Sequence, residues 1–300
     1  LRNLKFCKQD LLAYAPDVLV LIDYPGFNMR IAEFARKNNI KVVWYIAPQV
    51  WAWKQNRVFK LKRDVGKMLT ILPFEKEFFA RFDMAVDFVG HPLLDAIDKR
   101  PDFESNQRKT ELGLLPDKPV LALLPGSRKQ EIKAMLPLMV KVSRQFNLQV
   151  ALAVAPSQDL DFYHQVLGNE KVHLIENRTY DLLEVADAAL VTSGTATLET
   201  ALFEVPEVVC YRGNQISYMI ARQLVKVKYI SLVNLIMDRE IVKELSQKEL
   251  NEKNLIKELR ICLSAEGSER LKNDYKRLIE KLGGSGASDN AARIIVGEAS

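Results

Sequence analysis

Asp23 closes an apolar run in VLVLIDYPGFN (residues 18–28) and is followed at once by a Pro-Gly turn. A carboxylate at the end of a buried strand can take a proton from an attacking hydroxyl, and burial would lift its pKa into a useful range. The same residue can equally be a turn former.

Two further stretches suit anions. LLPGSRKQEI (123–132) runs from an apolar strand through Pro-Gly-Ser-Arg straight into a helical pattern. Free N–H groups at a helix start, a glycine that permits close approach, and the fork of Arg128 beside Ser127 all favour phosphate. The lysine and hydroxyl of a Walker loop are missing, so an ordinary P-loop NTPase is excluded. A plain turn with a solvated arginine fits these residues equally well. VTSGTATLETA (191–201) repeats the strand, small-residue loop and helix. Ser193, Gly194 and Thr195 offer donors to a diphosphate, and Glu199, one turn on, offers an acceptor to ribose hydroxyls. The competing account is a Ser/Thr cap followed by a solvated glutamate. Two such loops in one domain favour a nucleotide, because strand-end loops of an open α/β sheet converge at its carboxyl edge.

Other patterns promise less. DLD (159–161) imitates a metal-holding acidic pair but opens a helix, where aspartate capping suffices. His91, His164 and His173 make no i, i+4 pair, and SGT lacks the G-x-S-x-G elbow of a serine hydrolase. No metal and no cofactor is expected. In WYIAPQVWAWKQNRVFKLKR (44–63), Trp44, Trp51 and Trp53 stand beside Lys54, Arg57, Lys60, Lys62 and Arg63. Aromatic and basic residues together suit an anionic membrane interface. They also suit a nucleic-acid surface, or simply core tryptophans beside a solvated basic helix.

The elements that must position these residues alternate along the chain. VLVLI (18–22), KVVWYI (41–46), KMLTIL (67–72) and VDFVG (86–90) read as strands, with helices over 27–39 and 75–82. Continuous apolar runs of four to six residues suit parallel strands covered on both faces. The polar stretch KRPDFESNQRK (99–109) reads as a linker. Beyond it, PVLALL (119–124), QVALAV (149–154), KVHLI (171–175), AALV (188–191) and EVVCYR (207–212) form a second series, and from about 239 the pattern is mainly helical. The expected class is α/β: two Rossmann-like doubly wound parallel sheets over 1–100 and 101–264, and a helical tail over 265–300.

Composition adds limits. With 300 residues, 48% hydrophobic and 27% charged, the chain is ordinary globular material. A net charge of +5 is too small to argue for nucleic acid but suits an anionic ligand or membrane. Cys7, Cys210 and Cys262 lack metal or redox spacing, which points to free thiols in a reducing compartment. No apolar run approaches the roughly 20 residues of a spanning helix.

Taken in order, LIDYPGFN, IAPQVWAWKQNRVFKLKR, LPFEKEFF, FVGHPLLDA, LLPGSRKQEI, TSGTATLETAL and YISLVNLIMDRE closely resemble the lipid-A-disaccharide synthases, GT-B-fold glycosyltransferases. The resemblance runs from about Pro16 to Glu244. It implies transfer of 2,3-diacylglucosamine from UDP to 2,3-diacylglucosamine 1-phosphate (lipid X), with inversion, release of UDP and no metal. It further implies a peripheral protein on the cytoplasmic face of the inner membrane. By this similarity Asp23 is the general base, Arg128 stabilises the departing diphosphate, Glu199 holds the ribose and Asn234 contacts the nucleotide. Tyr211 and Arg212 are nearby candidates, and His91 lines the acceptor cleft or serves structurally. Trp51, Trp53, Lys54, Arg57 and Lys60 face the membrane. The family also allows a homodimer through exchanged C-terminal elements.

Two departures set expectations. Gly26 stands where some members carry a second acid, which concentrates the base role on Asp23. The family's opening strand and its Gly-Glu-x-Ser-Gly-Asp loop do not precede Leu1, so the chain alone is expected to be unstable or inactive. RIIVGEAS (293–300) reads either as a strand entering that loop, permuted or misjoined, or as part of the helical tail. The alternatives in function are another UDP-sugar GT-B enzyme, such as a peptidoglycan-type transferase or an epimerase, and a truncated, non-catalytic UDP-sugar-binding or membrane-docking remnant.

Overall fold

The computed structural model describes residues 2–213 and 228–299. It divides into two units of parallel sheet and helix. One runs to Arg100 and resumes at Ile279, and the other runs from Pro101 to Leu278.

In the first unit α1 (Arg2–Tyr14) leads into β1 (Val18–Ile22), α2 (Pro25–Lys37), β2 (Lys41–Tyr45), α3 (Val58–Asp64), β3 (Lys67–Thr70), α4 (Pro73–Ala80), β4 (Asp87–Phe88) and α5 (Pro92–Asp98). Its sheet has the order β1-β2-β3-β4, all parallel, with Ile22 opposite Tyr45 and Tyr45 opposite Leu69. Helices α2 and α4 each begin with a proline in the first turn, where the missing N–H costs nothing and φ is already helical. Val43, Leu69 and Val89 form the buried centre together with Ala291.

Ala291 belongs to a helix, Ala287–Ala299, so the strand reading of RIIVGEAS is wrong over its described residues. Ala291, Ile294 and Ile295 recur at helical spacing and pack against the sheet. The helix start is held by the Asp95 carboxylate, which accepts from the backbone N–H of Gly286 (2.6 Å), Ala287 (3.2 Å) and Ser288 (2.7 Å). The helical tail expected over 265–300 therefore divides between the units at Leu278 and Ile279.

The second unit contains α6 (Ser105–Glu111), β5 (Val120–Leu124), α7 (Lys129–Ser143), β6 (Gln149–Val154), α8 (Leu160–Leu167), β7 (His173–Glu176), α9 (Thr179–Val185), β8 (Ala188–Thr192), α10 (Thr195–Leu202), β9 (Glu207–Tyr211) and β10 (Lys243–Ser246). Strand order is β10-β9-β8-β5-β6-β7, all parallel. β5 and β8 are buried at every position, as their unbroken apolar runs require. β10 is absent from the sequence-based expectation. It is an edge strand of the composition Lys-Glu-Leu-Ser with only Leu245 buried, so it carries almost no strand signal.

This order places the topological switch point between β5 and β8. The chain leaves β5 toward β6 and β7 on one side, and continues through β8 and β9 on the other. Strand-end loops at such a point diverge to opposite faces and leave a crevice for ligand. Both small-residue loops singled out above, 125–128 and 193–195, sit there.

Candidate active site

The β1–α2 loop of the first unit is conformationally costly. Asp23 and Tyr24 both adopt left-handed backbone, with φ of 42° and 44°, a region that non-glycine residues enter at roughly 1–3 kcal/mol each. Hydrogen bonds hold them there. Asn28 Nδ2 donates to the carbonyls of Ile22 (3.1 Å) and Asp23 (2.8 Å), and the Asp23 N–H donates to the Tyr45 carbonyl at 3.1 Å. Asn28 was not foreseen, although an asparagine in the first turn after a strand-end loop is well placed to tie that loop. The Asp23 side chain is exposed. β1 lies at the sheet edge and its own burial falls away at Ile22.

The tryptophan-rich stretch separates into two populations. Trp44 and Trp51 are buried, so Trp51 does not belong to an outward-facing set. Its ring meets Phe74 edge-on at 5.0 Å, and its Nε1–H donates to Glu75 Oε1 at 3.2 Å. Glu75 also accepts from the N–H groups of Leu72 (3.0 Å) and Ile71 (3.3 Å). Burial pushes the Glu75 carboxyl up to about 7 against the pull of these three donors. Trp53 by contrast is exposed, with Lys54 Nζ 4.5 Å and the Arg57 guanidinium 5.2 Å from its ring centre. In α3, Val58, Leu61 and Asp64 face inward while Phe59 and Lys60 face solvent. His91 caps α5, its Nδ1 accepting from Leu93 N–H at 3.3 Å, and burial pushes its pKa down to about 4, which keeps the ring neutral.

In the second unit, Gly126 has φ of +101°, and a Cβ there would lie 2.7 Å from Glu131 Oε2. The positive φ is what favours glycine here. Glu131 completes a capping box at α7: Oε2 accepts from Arg128 N–H at 3.3 Å and Oε1 from Arg128 Nη1 at 3.2 Å. The guanidinium still projects outward, with 82% of the Arg128 side chain exposed. A diphosphate reaching this loop therefore shares Arg128 with Glu131. Ser157 Oγ (3.2 Å) and Gln158 Nε2 (2.8 Å), from the loop after β6, both donate to the Ser127 carbonyl and fix the turn.

Across the switch point, Gly194 and Thr195 are exposed at the start of α10, and Ser193 Oγ donates to the Ile230 carbonyl at 2.9 Å. Glu199 Oε1 accepts from Tyr180 Oη at 2.8 Å, and Tyr180 packs on Phe203 with ring centres 5.1 Å apart. Tyr180 orients the Glu199 carboxylate, yet lies nineteen positions away and carried no sequence signal. The turn after β5 lies close to the end of β8, since a Cβ built on Gly126 would meet Thr192 Cγ2 at 3.4 Å. Tyr211 ends β9 beside Gly213, and Arg212 donates to the Leu250 carbonyl.

Asn234 differs from expectation. It is fully buried and its amide is fully engaged: Oδ1 accepts from the N–H groups of Ile241 (2.8 Å) and Val242 (3.1 Å), and Nδ2 donates to the Val242 carbonyl and Glu244 Oε1, each at 2.9 Å. No polar atom of the Asn234 side chain remains for a nucleotide. Glu244 accepts as well from Ile230 N–H, Ser231 N–H and Ser231 Oγ. Asn234 and Glu244 thus shape the loop that receives the Ser193 hydroxyl. Among the described residues no group of three His, Cys, Asp or Glu could hold a metal ion, and Asp159 stands at the α8 cap position without a side-chain capping bond.

The family described as lipid-A-disaccharide synthetase matches residues 1–296 of this chain. The lipid-A-disaccharide synthase of Trichlorobacter lovleyi is 36% identical over 297 residues, covering 96% of this chain and 77% of that protein. That of Syntrophus aciditrophicus is 38% identical over 294 residues, covering 95% and 76%. Solved structures agree in fold. A calicheamicin glycosyltransferase superposes with a TM-score of 0.63 at 17% identity, covering 98% of this chain and 77% of that one. A UDP-GlcNAc 2-epimerase from Neisseria meningitidis, bound to UDP-GlcNAc, gives 0.62 at 14% identity, covering 93% and 79%.

Proposed function

The chain belongs to the lipid-A-disaccharide synthetase family, and from that premise we infer the roles of its residues in the family's reaction. The reaction is hexosyl transfer of 2,3-diacylglucosamine from UDP to 2,3-diacylglucosamine 1-phosphate, giving a lipid A disaccharide 1-phosphate and UDP. The observation that carries the assignment is the family match over nearly the whole chain, joined to two small-residue loops at the switch point of a GT-B-type sheet.

Inverting transfer requires a base for the acceptor hydroxyl and an electrostatic partner for the leaving diphosphate. Asp23 supplies the base: it is an exposed carboxylate at a strand end whose backbone is locked in a costly conformation. Arg128, with the N–H groups around Gly194 and Thr195, receives the charge that develops on UDP as the glycosidic bond breaks. Ser127 and Ser193 line these turns, and Glu199, oriented by Tyr180, accepts from the ribose. Tyr211 stands at the neighbouring strand end, and His91, held neutral, keeps the α5 start in place.

Both substrates carry acyl chains, and among the described residues no helix is long and apolar enough to cross a membrane. The outward set of Trp53, Lys54, Arg57, Phe59 and Lys60 combines an aromatic anchor with basic residues suited to anionic lipid. We place this face on the cytoplasmic surface of the inner membrane. The test is turnover with acylated and deacylated donors in detergent micelles. Consumption of UDP-2,3-diacylglucosamine with lipid X, and none of UDP-GlcNAc, supports the reading. Consumption of UDP-GlcNAc alone replaces it with a different UDP-sugar enzyme.

A further inference from the structure

A cavity of about 460 Å³ opens beside the Asp23 loop in the first unit, walled by Arg2 and Asn3 of α1 and by Tyr24, Gly26, Phe27 and Arg30 of the loop and α2. Its chemistry is one-sided. Two guanidinium groups line it, and no lining residue is acidic. Neither Arg2 nor Arg30 has a carboxylate partner among the described residues. Cations further along the same helix are paired: Arg36 with Asp64 at 2.8 Å, and Lys37 with Glu33 at 2.8 Å. Arg30 follows Gly26 and Phe27 by four and three positions, so the three share one face of α2. A Cβ built on Gly26 meets nothing within 4 Å, which leaves that wall open.

We propose that this cavity is the acceptor's phosphate subsite, in which Arg30 and Arg2 bind the monoester phosphate of the sugar 1-phosphate. The proposal rests on the synthase reading above. Arginine forks recognise phosphate oxygens in pairs, and two unpaired guanidinium groups match a dianion. The volume exceeds that of a phosphate group alone and has room for part of the attached hexose. Tyr24 and Phe27, with ring centres 6.2 Å apart, supply an apolar wall for it. Tyr24 directly follows Asp23. A sugar anchored by its 1-phosphate here is held one residue from the base, with its far end free to present a hydroxyl. Arg30 thereby becomes a determinant of acceptor specificity, distinct from the groups that bind the donor.

The same phosphate chemistry is offered by an anionic lipid headgroup, and the experiment separates the two. Steady-state rates are measured for the protein, for Arg30→Ala and Arg30→Lys, and for the surface control Lys37→Ala. Acceptors are lipid X and its dephosphorylated analogue. Binding of glucosamine 1-phosphate is followed by calorimetry, and binding to phosphatidylglycerol vesicles by sedimentation. Losing a charge-assisted pair should raise KM for lipid X about 10- to 100-fold. The lysine variant should fall between, kcat and the donor KM should stay near the parent values, and the dephosphorylated acceptor should be insensitive to the change. Arg30→Ala should also lose binding of glucosamine 1-phosphate while sedimenting with vesicles as the parent does. Equal losses for both acceptors, or lost vesicle binding with an unchanged lipid X KM, would overturn the subsite. A parent protein that transfers a sugar other than 2,3-diacylglucosamine, yet binds glucosamine 1-phosphate through Arg30, would overturn the synthase reading and leave the phosphate pocket standing.

Discussion

Replacing Glu75 with glutamine should abolish a pH dependence of stability as well as lower the stability itself. Glu75 is 1% exposed and accepts from Trp51, Ile71 and Leu72. Burial pushes its carboxyl from 4.5 up to about 7. Between those values the folded protein holds a proton that the unfolded chain has released. Its contribution is therefore full below about pH 4.5, falls as pH rises, and levels off above about 7. The span corresponds to about 3 kcal/mol at 1.36 kcal/mol per pKa unit. Glutamine cannot ionise, so this slope vanishes in Glu75→Gln. One carbonyl oxygen must then serve three donors, and its NH2 faces backbone N–H, at a cost of about 1–3 kcal/mol. The variant should be clearly weaker than the parent at pH 5 and nearly equal to it at pH 8. Urea titrations followed by tryptophan fluorescence read this directly, because all three tryptophans lie in the first unit. Parallel stability–pH curves for parent and variant would refute the reasoning.

Two further outcomes follow from the geometry. At Asp95 burial pushes the pKa up, but the Ser288 side chain and the N–H groups of Ser288, Gly286 and Ala287 outweigh it and hold the carboxyl down to about 2. Its stabilisation is present above about pH 4 and is lost as pH falls through about 2. Asp95→Asn should lose about 2 kcal/mol at pH 7 and converge with the parent in acid, as thermal melts across that range will read. Arg128→Ala should lower kcat/KM for the donor about 10²- to 10³-fold with little change in the acceptor KM, and donor-saturation kinetics check it.

The legible parts of this fold are those where burial writes itself into the sequence. QVALAV names its strand because the residues after Gln149 are apolar and mostly buried, and VLVLI names its strand by its apolar run although only Leu21 of it is buried; β6 and β1 span those same residues. β10 was invisible because an edge strand needs only one buried residue. RIIVGEAS deceived because isoleucine and valine suit a strand locally, whereas Ala291, Ile294 and Ile295 at helical spacing bury one face against the sheet. In the second unit, the turn at Gly126 and the helix start at Arg128 were readable from chain adjacency alone. Tyr180 and Glu244 were not, since their meaning comes from partners ten or more positions away. Trp51 and Asn234 show the converse: basic and aromatic neighbours suggested a membrane for one, and the family resemblance suggested a nucleotide for the other, but internal partners had already claimed their side-chain polar atoms.

The most direct test of the account is the turnover of Asp23→Asn beside the parent, with UDP-2,3-diacylglucosamine and lipid X in mixed micelles. Asparagine preserves shape and leaves the Asn28 hydrogen bonds to the backbone intact. Removing the base should lower kcat about 10²- to 10⁴-fold, with both KM values within about twofold, because Asp23 acts on the proton in flight rather than in binding. Turnover of Asp23→Asn at the parent rate would contradict the assignment and move the base elsewhere.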